Sequence, residues 1–162
     1  MALPGYSTGA TNRITGQFFE ETFERYALYQ GFLPKRNMLS AQPKGGNRWQ
    51  PVKSQLDWNV YKKNGMCAIV DCKSFQSGYF TYSSLDEKQV ERALEFNRWQ
   101  IPSGFVVWFR AVNKVSFFSG AAIEKAGPRT RFLPEHGTVL GRLQDFVLSP
   151  IFDPTIPPPE FY

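Results

Sequence analysis

Histidine occurs once in these 162 residues and cysteine twice. So short a supply of imidazole and thiol excludes a zinc finger or any other Cys/His metal cluster. Cys67 and Cys72 lie five apart on what reads as a single strand, too extended for a disulfide between them. A reduced, cytoplasmic setting fits that usage. No apolar run approaches the ~20 residues of a spanning helix, so no membrane segment is expected. The N-terminus, Met1 to Ser7, has no apolar h-region and does not read as a secretory signal. Internal repeats are absent as well.

What is present describes one ordinary soluble domain. The length suits a single core without staples. Lysine and arginine number 19 against 14 acidic residues, a net charge of +5. That excess favours a polyanionic partner through phosphate contacts and counterion release. Phenylalanine occurs fifteen times, enough to supply much of a core.

Residues 1–11 read as a flexible N-terminal arm, 12–149 as the folded domain and 150–162 as a Pro-rich C-terminal tail. From about Asn12 to Tyr29 the pattern is helical, with Phe19, Phe23 and Tyr26 on one stripe and Gly31 as a stop. Short strand pieces are expected around Pro34. The polar, glycine-containing stretch 40–53 reads as a loop. Leu56, Trp58 and Val60 alternate with Gln55, Asp57 and Asn59, the period of a half-buried strand. Lys63-Asn64-Gly65 signals a turn, and Met66 to Lys73 reads as the second strand of a hairpin. Ser84 with Glu87 predicts a capping box for a helix reaching Asn97. Strands follow at 104–110 and 114–118, then short helices at 121–126 and 138–147. The order predicts an α/β fold in which helices flank one mixed β-sheet.

The hairpin carries the chemistry. Asp71 and Lys73 are two apart on a strand and leave the same face, while Cys72 points to the other. Asp57 lies on the polar face of the preceding strand. Two carboxylates and an ammonium converging on one patch suit phosphodiester hydrolysis. Hard oxygen ligands hold Mg²⁺, which keeps several waters. The ion polarises a phosphoryl oxygen and acidifies a bound water, and a lysine orients that water or offsets growing charge. In that arrangement Asp57 and Asp71 are metal ligands and the Cys72 carbonyl is a third. The competing reading of Asp-x-Lys is a solvated strand face.

The register must satisfy the chemistry. A two-residue Asn64-Gly65 loop would put Asp57 and Asp71 on opposite faces. Asp57 opposite Asp71 needs the three-residue loop Lys63-Asn64-Gly65, with Gly65 in the left-handed region and a bulge, or a compensating bulge elsewhere.

Several motifs together resemble the RecU-type Holliday junction resolvases of the PD-(D/E)xK nuclease superfamily. They are Thr15 to Glu20 on the first helix, Ser54-Gln55-Leu56-Asp57-Trp58, and Ile69-Val70-Asp71-Cys72-Lys73-Ser74. The likeness continues through Phe80-Thr81-Tyr82, Lys88-Gln89 and the strands at 104–107 and 115–118. The resemblance implies a restriction-endonuclease-like core and a Mg²⁺-dependent endodeoxyribonuclease, with Mn²⁺ able to substitute. It implies catalytic roles for Glu20, Asp57, Asp71, Lys73 and Gln89, with Glu20 joining Asp57, Asp71 and Cys72 at the metal. It further implies a homodimer acting on branched, four-way DNA in the cytoplasm of a bacterial or phage-infected cell. Asp71 stands where that family usually has glutamate. The segment 37–53 is shorter than the stalk the family places there.

Within that segment Lys44, Arg48, Trp49 and Lys53 mix positive charge with a ring able to stack on a base, and form the candidate DNA-binding set. His136 reads as an ordinary loop histidine. Arg129 and Arg131 are exposed cations able to touch phosphate. A non-catalytic DNA-binding or architectural protein on the same fold, or a less selective nuclease, is the alternative.

Overall fold

The aromatic stripe of the first helix does what its spacing dictates. Phe19, Phe23 and Ala27 recur every four residues and are fully buried. The computed structural model describes the backbone of residues 8–37, 41–43, 46, 49–51 and 55–153, and side chains within 14–37 and 55–153. Helix α1 spans Thr8–Tyr29, so it starts inside the stretch expected to be an arm. It stops at Gly31, whose φ of +87° lets the Phe32 N–H donate back to the Ala27 carbonyl at 2.9 Å.

Strand β1 (Leu33–Arg36) follows, running through Pro34 rather than around it. It is an edge strand, where a residue without an N–H is tolerated. Strands β2 (Ala41–Pro43) and β3 (Trp49–Pro51) pair antiparallel, Pro43 opposite Trp49. The segment expected to be a plain loop therefore holds a small hairpin, with the Gly45-Gly46 pair in its connection. Lys44, Arg48 and Lys53 lie outside the described residues, as does the Trp49 side chain.

Strands β4 (Trp58–Tyr61) and β5 (Cys67–Phe75) form the expected antiparallel hairpin. The two-residue β6 (Phe80–Thr81) and the helix α2 (Glu87–Arg98) come next. Strands β7 (Ser103–Phe109) and β8 (Lys114–Ser119), helix α3 (Gly120–Ala126), β9 (Arg131–Phe132) and β10 (Thr138–Gly141) complete the order. The main sheet runs β1-β4-β5-β7-β8-β10. Only β5 and β7 are parallel, with α2 in the crossover between them. The α/β class, with a mixed sheet flanked by helices, is as expected.

Two cores sit on the two faces. On one, α1 covers Trp58, Val60, Val70, Cys72 and Val106. On the other, α2 and α3 cover Phe105, Val107, Phe109 and Phe118 with Val90, Ala93 and Ile123. Gly120 starts α3 so close to α2 that a Cβ there would lie 2.7 Å from the Ala93 Cβ.

Three local expectations fail for physical reasons. The cap of α2 is Asp86, whose side chain accepts from the Lys88 N–H at 2.9 Å, not Ser84. The Ser84 hydroxyl is engaged with Thr81 in the preceding 3₁₀ turn, Tyr82–Ser84. Residues 138–141 are strand rather than helix, because Thr138 and Val139 pair with Phe117 and Ser116 at the edge of the sheet. A turn closed by Arg142 and Asp145 follows. Finally, Ile151 and Phe152 are buried and Phe152 stacks on Phe32 at 5.2 Å, so the packed body runs past 149. The stretch 154–162 lies outside the described residues.

Candidate active site

The β4–β5 hairpin sets the geometry. Trp58 pairs with Val70 and Tyr61 with Cys67, and Lys62 donates to the Met66 carbonyl at 2.8 Å. That leaves Lys63-Asn64-Gly65 as a three-residue loop, with Gly65 at φ +87°. The same register carried one residue past the ladder puts Asp57 across from Asp71. The chain bends over residues 55–57, which turns Leu56 into the α2-side core while Trp58 enters the α1-side core. The Asp57 N–H donates to Asp71 Oδ1 at 3.2 Å.

Asp71 is the centre of the cluster and is almost fully buried, at 1% exposure. Lys73 Nζ lies 2.9 Å from its Oδ2. Gln89 Nε2 donates to its Oδ1 at 3.3 Å and to the Gln55 carbonyl at 3.1 Å. Both neighbours of that nitrogen are acceptors, so the amide must be oriented this way. Its Oε1 is then a buried acceptor with no partner.

A buried, charged neighbour changes Asp57 strongly. Desolvation, then the charge and hydrogen bond of Asp71, then Glu20, raise its pKa from 3.8 to about 7, with Lys73 pulling the other way. Asp57 therefore keeps its proton toward neutrality. Burial pushes the Cys72 thiol well above its usual range, and its side chain packs in the α1-side core.

Glu20 is not brought into contact with the two aspartates. It projects from α1 and pairs with Arg36 at 2.9 Å, within electrostatic reach of Asp57. Arg36 also lies over the Trp58 ring, 4.6 Å from its centroid. Asn37 is a structural participant that no motif singles out. Its N–H donates to the Asp57 carbonyl at 2.6 Å, and its side-chain amide to the Leu56 carbonyl at 2.8 Å and Asn59 Oδ1 at 2.9 Å. It pins the bend that presents Asp57. These bonds join residues about twenty apart with no periodicity between them, so no sequence pattern signals them.

Among the described residues, no group of three or more His, Cys, Asp or Glu side chains is gathered as a metal cage. What the site offers is two neighbouring carboxyl groups, with Asp57 inclined to keep its proton by burial and then by the charge of Asp71. Beside them stands an orphaned amide oxygen able to accept from water. This oxygen-rich, sparsely liganded set fits Mg²⁺, which takes one or two carboxylates and retains its waters.

The chain shares its fold with a known resolvase. Archaeoglobus fulgidus Hjc, a Holliday junction resolvase from an archaeal hyperthermophile, superposes with a TM-score of 0.51 at 14% identity. The match covers 72% of this chain and 85% of Hjc. A scan against protein-family models finds no match, and no curated protein matches in sequence. At that identity the likeness to Hjc establishes the nuclease-like fold.

The remaining singled-out residues stand apart from this cluster. His136 Nδ1 accepts from the Leu133 N–H at 3.1 Å, closing a 3₁₀ turn, and serves structure. Arg131 lies over the Tyr79 ring.

Proposed function

We propose that this chain is a metal-dependent DNA endonuclease that cuts four-way junctions. The observation that carries the reading is the meeting of Asp57 and Asp71 across the β4–β5 hairpin, with Lys73 Nζ 2.9 Å from Asp71. It lies on a fold shared with a Holliday junction resolvase.

In this reading Asp57 and Asp71 hold Mg²⁺ or Mn²⁺, with the Cys72 carbonyl and Glu20 as further oxygens. The bound ion supplies Lewis acidity toward a phosphoryl oxygen and lowers the pKa of a water. Lys73 orients the attacking water or offsets the charge that grows on the phosphate. Gln89 fixes the orientation of Asp71 through Nε2 and offers Oε1 as an acceptor for water. The sequence between Asn37 and Asp57 carries Lys44, Arg48, Trp49 and Lys53, whose positive charge and stacking ring are assigned to DNA. A twofold dimer would place two such sites against the near-twofold symmetry of a junction.

The test is cleavage of a labelled four-way junction and a matched duplex, with Mg²⁺, with Mn²⁺ and with EDTA. Junction cutting that needs the metal supports the proposal. A junction bound but never cut would leave a DNA-binding protein on a nuclease fold. Equal cutting of duplex would leave a less selective nuclease.

A further inference from the structure

The face of β5 that carries Asp71 and Lys73 continues to Phe75, two residues on and on the same side of the strand. Phe75 stacks on Phe80 at 5.2 Å, and Phe80 stacks on its cross-strand partner Phe132 at 4.7 Å. These contacts seat the β6–β9 ribbon on the α2-side core, at the C-terminal end of β5. With Phe80 and Phe132 turned inward, the next pair, Thr81 and Arg131, turns outward. Arg131 is exposed, and its guanidinium lies 4.6 Å from the centroid of the Tyr79 ring.

Three other arginines are paired with carboxylates. Arg36 pairs with Glu20, Arg92 with Glu95 and Arg142 with Asp145. Among the described residues, Arg131 has no carboxylate within ion-pair distance. A ring beneath a guanidinium limits its rotation while leaving its edge N–H groups free, which suits planar recognition of phosphate. The adjoining turn has the opposite character. Glu124, Glu87 and Glu91 all act on the Tyr82 phenol and, after burial, raise its pKa. A polyanion is therefore attracted at Tyr79–Arg131 and repelled one turn later, which confines its path.

We propose that Arg131, held over Tyr79, is a phosphate contact for the DNA strand flanking the cleavage position. The inference rests on the nuclease reading above. Four residues of strand separate Asp71 from Phe75, roughly 13 Å. Strand phosphates advance ~3.4 Å along a duplex axis. The contact is thus to phosphates several nucleotides away, not to the scissile one. Arg131 is accordingly a binding residue that adds affinity without adding sequence preference.

The experiment is a titration of the metal-free protein with a fluorescent four-way junction at several salt concentrations. Arg131→Ala should weaken binding by roughly 3- to 10-fold and reduce the salt slope by about one. Arg131→Lys should restore the slope but only part of the affinity. Tyr79→Phe, which keeps the ring, should match the wild type, and Tyr79→Ala should weaken binding with the slope intact. Circular dichroism and melting confirm that the variants are folded. Arg131→Glu serves as a second variant and should weaken binding further. Wild-type affinity and slope in both Arg131→Ala and Arg131→Glu would overturn the inference while leaving the nuclease reading in place. A wild-type protein that neither binds nor cuts any DNA would overturn both together.

Discussion

The two faces of β5 have nothing in common except their backbone. Ala68, Val70 and Cys72 face α1 and join an apolar core. Asp71 and Lys73 face the α2 side, where Asp71 is as deeply buried as Val70 yet carries a carboxylate linked to Asp57, Lys73 and Gln89. A strand's period of two lets neighbouring residues answer to different demands. One face contributes stability through burial. The other holds a polar network in which the buried Asp71 is bonded to Lys73, Gln89 and the Asp57 N–H. Substitutions one residue apart should therefore separate stability from chemistry.

The sharpest contrast is between adjacent residues. Asp71→Asn should bring metal-dependent cleavage below detection with junction binding largely retained, since binding rests on other charges. Cys72→Ala should leave the rate unchanged and lower stability by about 1–2 kcal/mol, as for other small deletions in a packed core. Cleavage assays alongside urea melts check both. A Cys72→Ala protein that is folded but inactive, or an active Asp71→Asn, would erase the distinction between the faces.

Lys73→Ala comes next in size. It should lose ~10²–10⁴-fold in rate, the usual worth of a positioned proton donor or electrostatic group. Metal binding, followed by calorimetry, should persist. A loss under tenfold would return Lys73 to the status of a solvated strand residue.

How far the sequence reveals these features depends on range. The hairpin is legible because alternation and turn residues mark its strands, while the register is chosen only by the need to join two carboxylates, and the three-residue loop with Gly65 provides it. The α1 stripe was legible because Phe19 and Phe23 are spaced by the helix itself. The cap of α2 was misread because Ser84 and Asp86 both offer a capping oxygen, and the choice turned on the hydroxyl contact with Thr81. The strand at 138–141 was missed because its pairing with β8 joins residues some twenty apart. Ile151 and Phe152 were hidden by the prolines around them, though Phe32 gives Phe152 a stacking partner. At the site, Asp71 and Lys73 were visible as a motif, whereas the Arg36 bridge to Glu20 and the Asn37 clamp depend on tertiary approach alone.

Asn37 permits a finer test of the polar face. Removing its amide in Asn37→Ala frees the Leu56 carbonyl and the Asn59 side chain while the backbone bond to Asp57 remains. Displacing a reacting group by about 1 Å can cost ~10²-fold, so a looser bend should cost up to about that factor. Because Asp57 and not Lys73 is displaced, the loss should lie mainly in metal affinity and recover partly at higher Mg²⁺. An equal loss at every Mg²⁺ concentration would make Asn37 a general structural residue.

The smallest effect is a dependence of stability on pH in the metal-free protein. Asp57 titrates near 7 in the folded chain and near 3.8 when unfolded. Between those values the native state keeps a proton that the unfolded chain has released. Stability then falls as pH rises, because the native state binds more protons. The contribution is fully present below about pH 4, declines toward pH 7 and changes little beyond it. Changing Asp57 to asparagine should therefore remove the effect. The wild type minus Asp57→Asn difference is the useful quantity, because it isolates this one carboxyl. Urea melts in EDTA at pH 5 and pH 8 should show the wild type losing more stability than Asp57→Asn over that interval. Added Mg²⁺ should close the gap at pH 8 and do little at pH 5, where Asp57 is still protonated. Identical pH profiles for the two proteins would mean that Asp57 is not held protonated. The polar face of β5 would then lack the repulsion that makes it a place for a cation.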